Sequence, residues 1–435
     1  MIPRKSTPAT ALELNSIQTG RFKTETLSVT VRLPLDKTKT PLYSLVLSVL
    51  KRGTKKYPSQ GHINRRLDEL YATGVSLRLD RYGNNCVFGF SAELLDEAYT
   101  DGTVDIFDGA LDVIEQLLFH PLTDEEGCFL SSFVESEKDI ACDLIQSVIN
   151  NPKSYASMRC REIMFENDDY GSSMSGTIEQ IRGVSAKSLA AFYRELIANK
   201  AFHVFYIGSK SEERVKEKLL RRFSPYLDHV TPFSPCTDGC RAALSAPKRV
   251  DEQSDVAQGK LVIGIRSGVT VLHKDFYAMM VFSEILGGSP VSKLFMNVRE
   301  RLGLCYYCSA SYEIYKGSLF ISSGVSPDKR EAAEQEIFRQ IKDIQNGQVT
   351  SLEFEAAVKS LVNSYRALFD LPANMESYYM GRDLFGLSCS LEQCINEIRR
   401  VTLEDVVRVS GEIAVDTIYF LWGDAAEEGD ADEDI

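Results

Sequence analysis

Residue types that ligate metals are sparse in this sequence, and their spacing is poor. The five histidines, His62, His120, His203, His229 and His273, stand far apart. A helical zinc site that activates water needs two histidines four residues apart on one face. No such pair exists, so each histidine reads as a surface residue or a satisfied core residue. The ten cysteines include two close pairs, Cys236/Cys240 and Cys305/Cys308. Together these have the ligand types of a four-thiolate zinc site. Cys305 and Cys308 fall in a strand-like run, however, where their side chains point to opposite faces. That site is therefore not expected. The segment from Cys236 to Cys240 lies among chain breakers, where a metal or disulfide clip stays open. No G-x-x-x-x-G-K-S/T phosphate loop and no G-x-S-x-G nucleophile phrase occurs.

The elements that would position any site come from a chain of 435 residues, too long for one compact core. Apolar content of 44% and charged content of 26% are those of an ordinary soluble globular protein. A net charge of -13 argues against a nucleic-acid surface. Part of it sits in 425–435, where Glu427, Glu428, Asp430, Asp432, Glu433 and Asp434 occur without a base; this reads as a disordered acidic tail. No run approaches the roughly 18 apolar residues of a membrane span, and no secretory signal is visible. A bacterial-type cytoplasmic location is expected, and with it no disulfide framework.

Strand-like runs at Glu25–Leu33, Val75–Leu79, Asn85–Ser91 and Ala201–Ile207 alternate with helical patterns up to Phe223. From Ser224, prolines and glycines break regular structure as far as about Asp251. The order then begins again: strand Gly259–Arg266, helices, strands Leu304–Tyr312 and Ser318–Gly324, long helices, and a last strand Thr417–Trp422. An internal duplication is expected, each copy roughly 180 to 220 residues long. Adjacent strands join through short turns, which favours an α+β fold with largely antiparallel sheets. The expected organisation is residues 1–224, a linker 225–250, a second domain 251–424 and the tail.

One stretch, Leu42 to Pro58, is an apolar helical run that closes on Arg52-Gly53-Thr54 and Lys55-Lys56-Tyr57-Pro58. It resembles the segment that carries the inverted zinc motif H-x-x-E-H in the pitrilysin/insulinase/mitochondrial processing peptidase family. Further phrases follow in that family's order. They include Gly176-Thr177-Ile178-Glu179-Gln180-Ile181, the Leu286-Gly287-Gly288 turn, the run Arg299 to Tyr306, and Val401 to Val406. The resemblance implies two homologous domains forming half of a clamshell. Counted back from Gly53-Thr54, the motif positions are Ser44, Leu47 and Ser48. The family's distant glutamate ligand follows a phrase matched at its start by Glu137-Lys138; seven residues after Glu137 stands Leu144. Neutral hydroxyls are poor zinc ligands, and leucine cannot take a proton from bound water.

The resemblance therefore implies no catalytic residue and no metal in this chain. In the family, the residues matching Arg299 and Tyr306 help hold the substrate backbone and the reacting carbonyl. A guanidinium supplies fixed donors, and a phenol supplies one donor for a developing oxyanion. Without the resemblance, Arg299 reads as a salt-bridged helix residue and Tyr306 as a packed strand residue. Two functions are carried forward. One is a noncatalytic, substrate-positioning subunit of a two-chain zinc metallopeptidase, with zinc in a related partner chain and a peptide as substrate. The other is a noncatalytic peptide-binding or scaffold protein. Neither involves nucleic acid or membrane.

Overall fold

The computed structural model describes residues 12–198, 200–227, 231, 233–240 and 246–423. The acidic tail and His229 lie outside the described residues. In chain order the first elements are β1 (Leu12–Gln18), β2 (Thr24–Pro34), α1 (Thr40–Leu50), α2 (Gln60–Glu69), β3 (Gly74–Tyr82) and β4 (Asn85–Leu95). They are followed by α3 (Ile106–Phe119), α4 (Ser131–Ile149), α5 (Pro152–Met164), α6 (Ile178–Arg182), α7 (Ala186–Ile197), β5 (Phe202–Gly208) and α8 (Glu212–Phe223). After the breaker-rich segment come β6 (Lys248–Gln253), β7 (Lys260–Arg266), α9 (Phe276–Ser283), a wide-wound helix at Leu294–Arg301, β8 (Tyr307–Glu313) and β9 (Ser318–Gly324). The last elements are α10 (Arg330–Gln345), α11 (Ser351–Ala367), α12 (Pro372–Leu384), α13 (Leu391–Arg400), α14 (Leu403–Ser410) and β10 (Ala414–Trp422).

The protein is α+β and built from two similar halves. One five-stranded sheet has the order β1-β5-β2-β4-β3, and the other has the order β6-β10-β7-β9-β8. Subtracting five from each number of the second order reproduces the first. In each sheet one edge pair is parallel (β1 with β5, β6 with β10) and the remaining pairs are antiparallel. This is the duplication that the sequence pattern predicts. The central strands are apolar and buried along their length, as in β5, FHVFYIG, where every residue is buried.

The edge strands β1 and β6 carry no such signal. Lys248-Arg249-Val250-Asp251-Glu252-Gln253 alternates between exposed and half-buried positions. Charged residues are tolerated, and even favoured, on an edge. Neither strand was legible as a run of strand-forming residues, and β6 begins inside the segment read as a linker.

The chain divides into two compact units that are not contiguous in sequence. Among the described residues, one runs through 12–145, 173–237 and 366–391; the other runs through 146–172, 238–365 and 392–423. Helices α5 and α12 are thus exchanged relative to chain order. Helix α12 packs on β2 and β5, and α5 packs on β7, β9 and β10. The α5 case has a local cause. Ala156, Cys160 and Met164, four residues apart, make one buried stripe. Opposite them β7 carries Gly264, where an added Cβ would come within 2.7 Å of the Met164 sulfur. Boundaries read from chain order place α5 with the first domain and α12 with the second; packing places each with the sheet of the other half of the chain.

Candidate functional site

In the first unit, α1 carries Ser44, Leu47 and Ser48. Ser44 and Ser48 are half-buried, and Leu47 is 1% exposed. Tyr43 anchors the helix by stacking on Phe192, with ring centroids 5.8 Å apart. The phrase after α1 is a structural clamp. The Thr54 N–H donates to the Tyr57 carbonyl at 2.7 Å, and Leu122 N–H donates to the Gly53 carbonyl at 3.2 Å. Lys56 Nζ and the Tyr57 hydroxyl both reach Asp112 Oδ2 at 2.7 Å. A Cβ on Gly53 would lie 2.9 Å from the Pro58 carbonyl oxygen, so glycine is required by close approach.

Helix α4 supplies the remaining position. Its Glu137 is 9% exposed and forms an ion pair with Arg52, whose Nη2 also donates to Ser136 Oγ at 2.6 Å. Leu144, two turns further along nearly the same helical face, is 60% exposed. The four degenerate positions thus offer two hydroxyls, one buried aliphatic side chain and one exposed aliphatic side chain. Neutral hydroxyls are poor zinc ligands, and neither leucine can accept a proton from water. The Gly176–Ile181 phrase is also scaffolding. Thr177 and Gln180 form a reciprocal cap on α6, and Gly176 adopts φ +71 against Pro41 of α1.

The second unit holds Arg299 and Tyr306. The Arg299 guanidinium lies 4.7 Å from the Phe295 ring centroid and 3.5 Å from Glu300. The Tyr306 side chain points to solvent, 73% exposed, while its N–H donates to the Gly324 carbonyl at 2.9 Å. Among the described residues no hydrogen bond or ion pair joins the two side chains. Gly287 serves close approach: a Cβ there would lie 2.4 Å from the Ala310 amide nitrogen of β8.

Strand β8 starts at Tyr307, three residues later than its apolar run begins. Gly303, at φ +57, and a bend at Tyr306 precede it. This corrects the expectation for Cys305 and Cys308. Cys305 precedes the strand, so the alternation expected to place the two side chains on opposite faces does not extend to it. The other pair is anchored separately. Cys236 N–H donates to Asn85 Oδ1 at 2.8 Å, while Cys240 N–H donates to the Lys316 carbonyl at 2.7 Å. No disulfide joins any two of the ten cysteines.

One titratable cluster was invisible in the sequence. Glu13 of β1, His203 of β5 and Asp383 of α12 bring ligand-type atoms within 4.8 Å of one another. His203 is 4% exposed, and its Nδ1 lies 2.9 Å from Glu13 Oε2. That contact is poorly aimed, and neither ring nitrogen makes a well-directed hydrogen bond. Burial pushes the imidazole below its ordinary value, and the nearby Arg32 adds to this; Glu13 and Asp383 oppose it. Arg32 pairs with Asp383 and stands 4.0 Å from Glu13. A cation placed here would meet a guanidinium already in position. The cluster reads as an ion network that fastens α12 to the first sheet. It joins residues up to 370 positions apart (383 minus 13), so no local pattern announces it.

Comparison with known proteins agrees with this geometry. Residues 183–361 match the family described as "Peptidase M16 inactive domain". A Bacillus subtilis protein named "Probable inactive metalloprotease YmfF" is 28% identical over 412 residues, 95% of this chain and 96% of that one. The "Uncharacterized zinc protease YmxG" of the same organism is 23% identical, over 68% of this chain and 70% of its own. Among solved structures, a conserved protein from Enterococcus faecalis V583 superposes with a TM-score of 0.91 at 24% identity, covering 98% of this chain and all of that one. The M16 inactive-domain structure from Pseudomonas fluorescens gives a TM-score of 0.79 at 16% identity over 98% of this chain and all of its own. No helix among the described residues is long and apolar enough to cross a membrane.

Proposed function

From the premise that this chain is an inactive-type member of the M16 peptidase family, we propose that it is the noncatalytic, substrate-positioning subunit of a two-chain zinc metallopeptidase. The related partner chain carries the zinc and the general base, and a peptide or extended protein segment is the substrate. The observation that carries this reading is the state of Tyr306. A phenol on a hydrogen-bonded strand start, with its ring 73% exposed, is held in place by the backbone yet free to donate outward. In the other unit, the four positions that match the family's metal motif are Ser44, Leu47, Ser48 and Leu144, while the surrounding clamp at Gly53 to Pro58 is intact. Loss of metal chemistry with retention of its scaffold fits a chain that works beside an active relative.

The test is reconstitution. The chain is mixed with a related zinc peptidase chain from the same source, and cleavage of a quenched fluorescent peptide library is followed. Activity is expected from the mixture and from neither chain alone. Tyr306→Phe and Arg299→Ala are each expected to lower the kcat/KM of the mixture at least about tenfold. If the double variant left the mixture unchanged, the positioning role would be wrong. One observation favours a scaffold instead: Arg299 already has internal contacts in Phe295 and Glu300. On that reading a stable complex forms, and it lacks any zinc-peptidase chain.

A further inference from the structure

We infer that Lys153 and Lys260 form a carboxylate-binding site next to Tyr306, and that its ligand is an acidic side chain or the C-terminal carboxylate of a peptide. Both lysines meet one aromatic ring. Lys153 Nζ lies 4.5 Å from the Tyr307 ring centroid, and Lys260 Nζ lies 5.9 Å from it. The sheet register brings Lys260 and Tyr307 together. Lys260 of β7 stands opposite Gly324 of β9, and Gly324 stands opposite Tyr307 of β8. A Cβ on Gly324 would lie 2.6 Å from Tyr307 Cε1 and 2.9 Å from Gln258 Oε1. The missing side chain lets Tyr307 lean across β9 toward Lys260. Helix α5 adds Lys153 from its first turn.

The arrangement is electrostatically unbalanced. Among the described residues, Lys153 and Lys260 have no ion-pair partner. Elsewhere, lysines of low exposure meet a carboxylate: Lys210 with Glu25, Lys293 with Glu353 and Lys316 with Asp168. Lys260 is half-buried; burial first, and then the Lys153 charge, push its ammonium below the ordinary value, and no carboxylate opposes them. Lys153 sits where the helix dipole disfavours a cation, and no acidic residue stands in that turn. One aromatic ring attracts a cation but cannot neutralise two. Lys260 donates to Gln258 Oε1 at 2.5 Å, which leaves two of its three donors for a ligand. Lys153 is exposed, and its ammonium makes no hydrogen bond among the described residues. Two ammoniums and the start of a 13-residue helix all favour an anion at this place. The net charge of -13 repels acidic peptides at long range, so a preference for them has to be local.

The site adjoins Tyr306 through the same glycine. The Tyr306 N–H donates at 2.9 Å to the carbonyl of Gly324, the residue across which Lys260 and Tyr307 meet. The use of the site in peptide cleavage rests on the positioning role proposed above for Tyr306; carboxylate binding itself does not.

The experiment measures fluorescence anisotropy at low salt with the full-length protein alone. Three peptides share one uncharged sequence and carry an uncharged dye at the N terminus. One has a free C-terminal carboxylate, one is amidated, and one is amidated with a single internal glutamate. At least one carboxylate peptide is expected to bind about tenfold or more tighter than the neutral amide, and added salt is expected to narrow the difference. The free-end and glutamate arms distinguish the two sources of the carboxylate. Lys153→Gln with Lys260→Gln is expected to bring all three peptides to the affinity of the neutral amide. That variant is expected to melt no lower than the parent, because it relieves a like-charge contact and removes a cation from a helix start. Lys187→Gln with Lys216→Gln removes the same charge from exposed lysines elsewhere and is expected to leave the preference intact. Equal affinities for the three peptides, or no binding of any, would overturn the proposal, as would a preference that survives loss of Lys153 and Lys260. If the chain alone shows the preference but no mixture with a related zinc-peptidase chain cleaves peptide, the carboxylate site stands and the two-chain peptidase role falls.

Discussion

Arg52 and Glu137 form a partly buried ion pair that ties the end of α1 to the start of α4. These are the two helices that carry the degenerate metal positions. The pair holds the two helices together without a metal. Glu137 is the first acid of the phrase that in the family leads to a zinc ligand, and here its partner is a guanidinium.

Removing one partner leaves the other charge poorly solvated, which is more harmful than removing both. Glu137→Ala should therefore cost about 3 kcal/mol of stability in urea unfolding. Arg52→Met combined with Glu137→Leu should recover most of that loss. A Glu137→Ala variant within experimental error of the parent protein would show the pair to be ornamental.

Rebuilding the metal motif should fail at one position. Ser44 and Ser48 are half-buried, so Ser44→His with Ser48→His should fold with a modest loss. Leu47 is 1% exposed in the α1 interface. Leu47→Glu would bury a carboxyl without a partner and should cost about 3 kcal/mol or more. Thermal melts of the double and triple variants compare the two directly.

His203 predicts a pH dependence. Burial holds its folded pKa below the ordinary 6.5, so the native state resists taking the proton that the unfolded chain accepts. Its neutral form thus contributes stability that is present above about pH 6.5 and is lost as pH falls from there toward the folded value. Glu13, Asp383 and Arg32 face it and set how steep that loss is. Urea midpoints between pH 5 and 8 should fall on the acid side, and His203→Gln should flatten that part of the curve. An unchanged slope in the variant would assign the dependence to other groups.

Two glycines separate backbone strain from crowding. Gly303 has φ +57 with nothing within 4 Å of an added Cβ, so Gly303→Ala should cost only about 1 kcal/mol of backbone strain. Gly176 has φ +71, and a Cβ there would lie 2.5 Å from Pro41 Cγ. Gly176→Ala should cost clearly more, about 2 kcal/mol or above, because it also pushes α6 from α1. Equal losses would mean that Pro41 yields without cost.

Tyr306 should separate function from folding. Its exposed side chain makes Tyr306→Phe neutral to stability within about 0.5 kcal/mol. Any loss of activity in a reconstituted mixture would then belong to the phenol and not to unfolding. A Tm drop of several degrees would assign the hydroxyl a structural role.

The sequence by itself determined that Ser44, Leu47, Ser48 and Leu144 bring no imidazole or carboxylate to α1 and α4. That conclusion rests on which atoms the side chains of Ser44, Leu47, Ser48 and Leu144 contain, and folding cannot change those. It also determined the repeated order of elements, because burial of central strands such as β5 and β7 demands apolar runs that are visible locally. Only the tertiary structure decided the rest. The charged edge strand β6 is a strand because β10 offers its backbone, not because of its residues. Helix α5 joins the second sheet because a buried stripe, Ala156 to Met164, meets the gap at Gly264, and α12 joins the first through its packing on β2 and β5. Cys305 falls outside β8 because a bend at Tyr306 delays the start of the strand. His203, Glu13 and Asp383 meet through pairings of distant segments. Each of these depends on contacts between residues far apart in the chain, and such contacts exist only once the sheets have chosen their register.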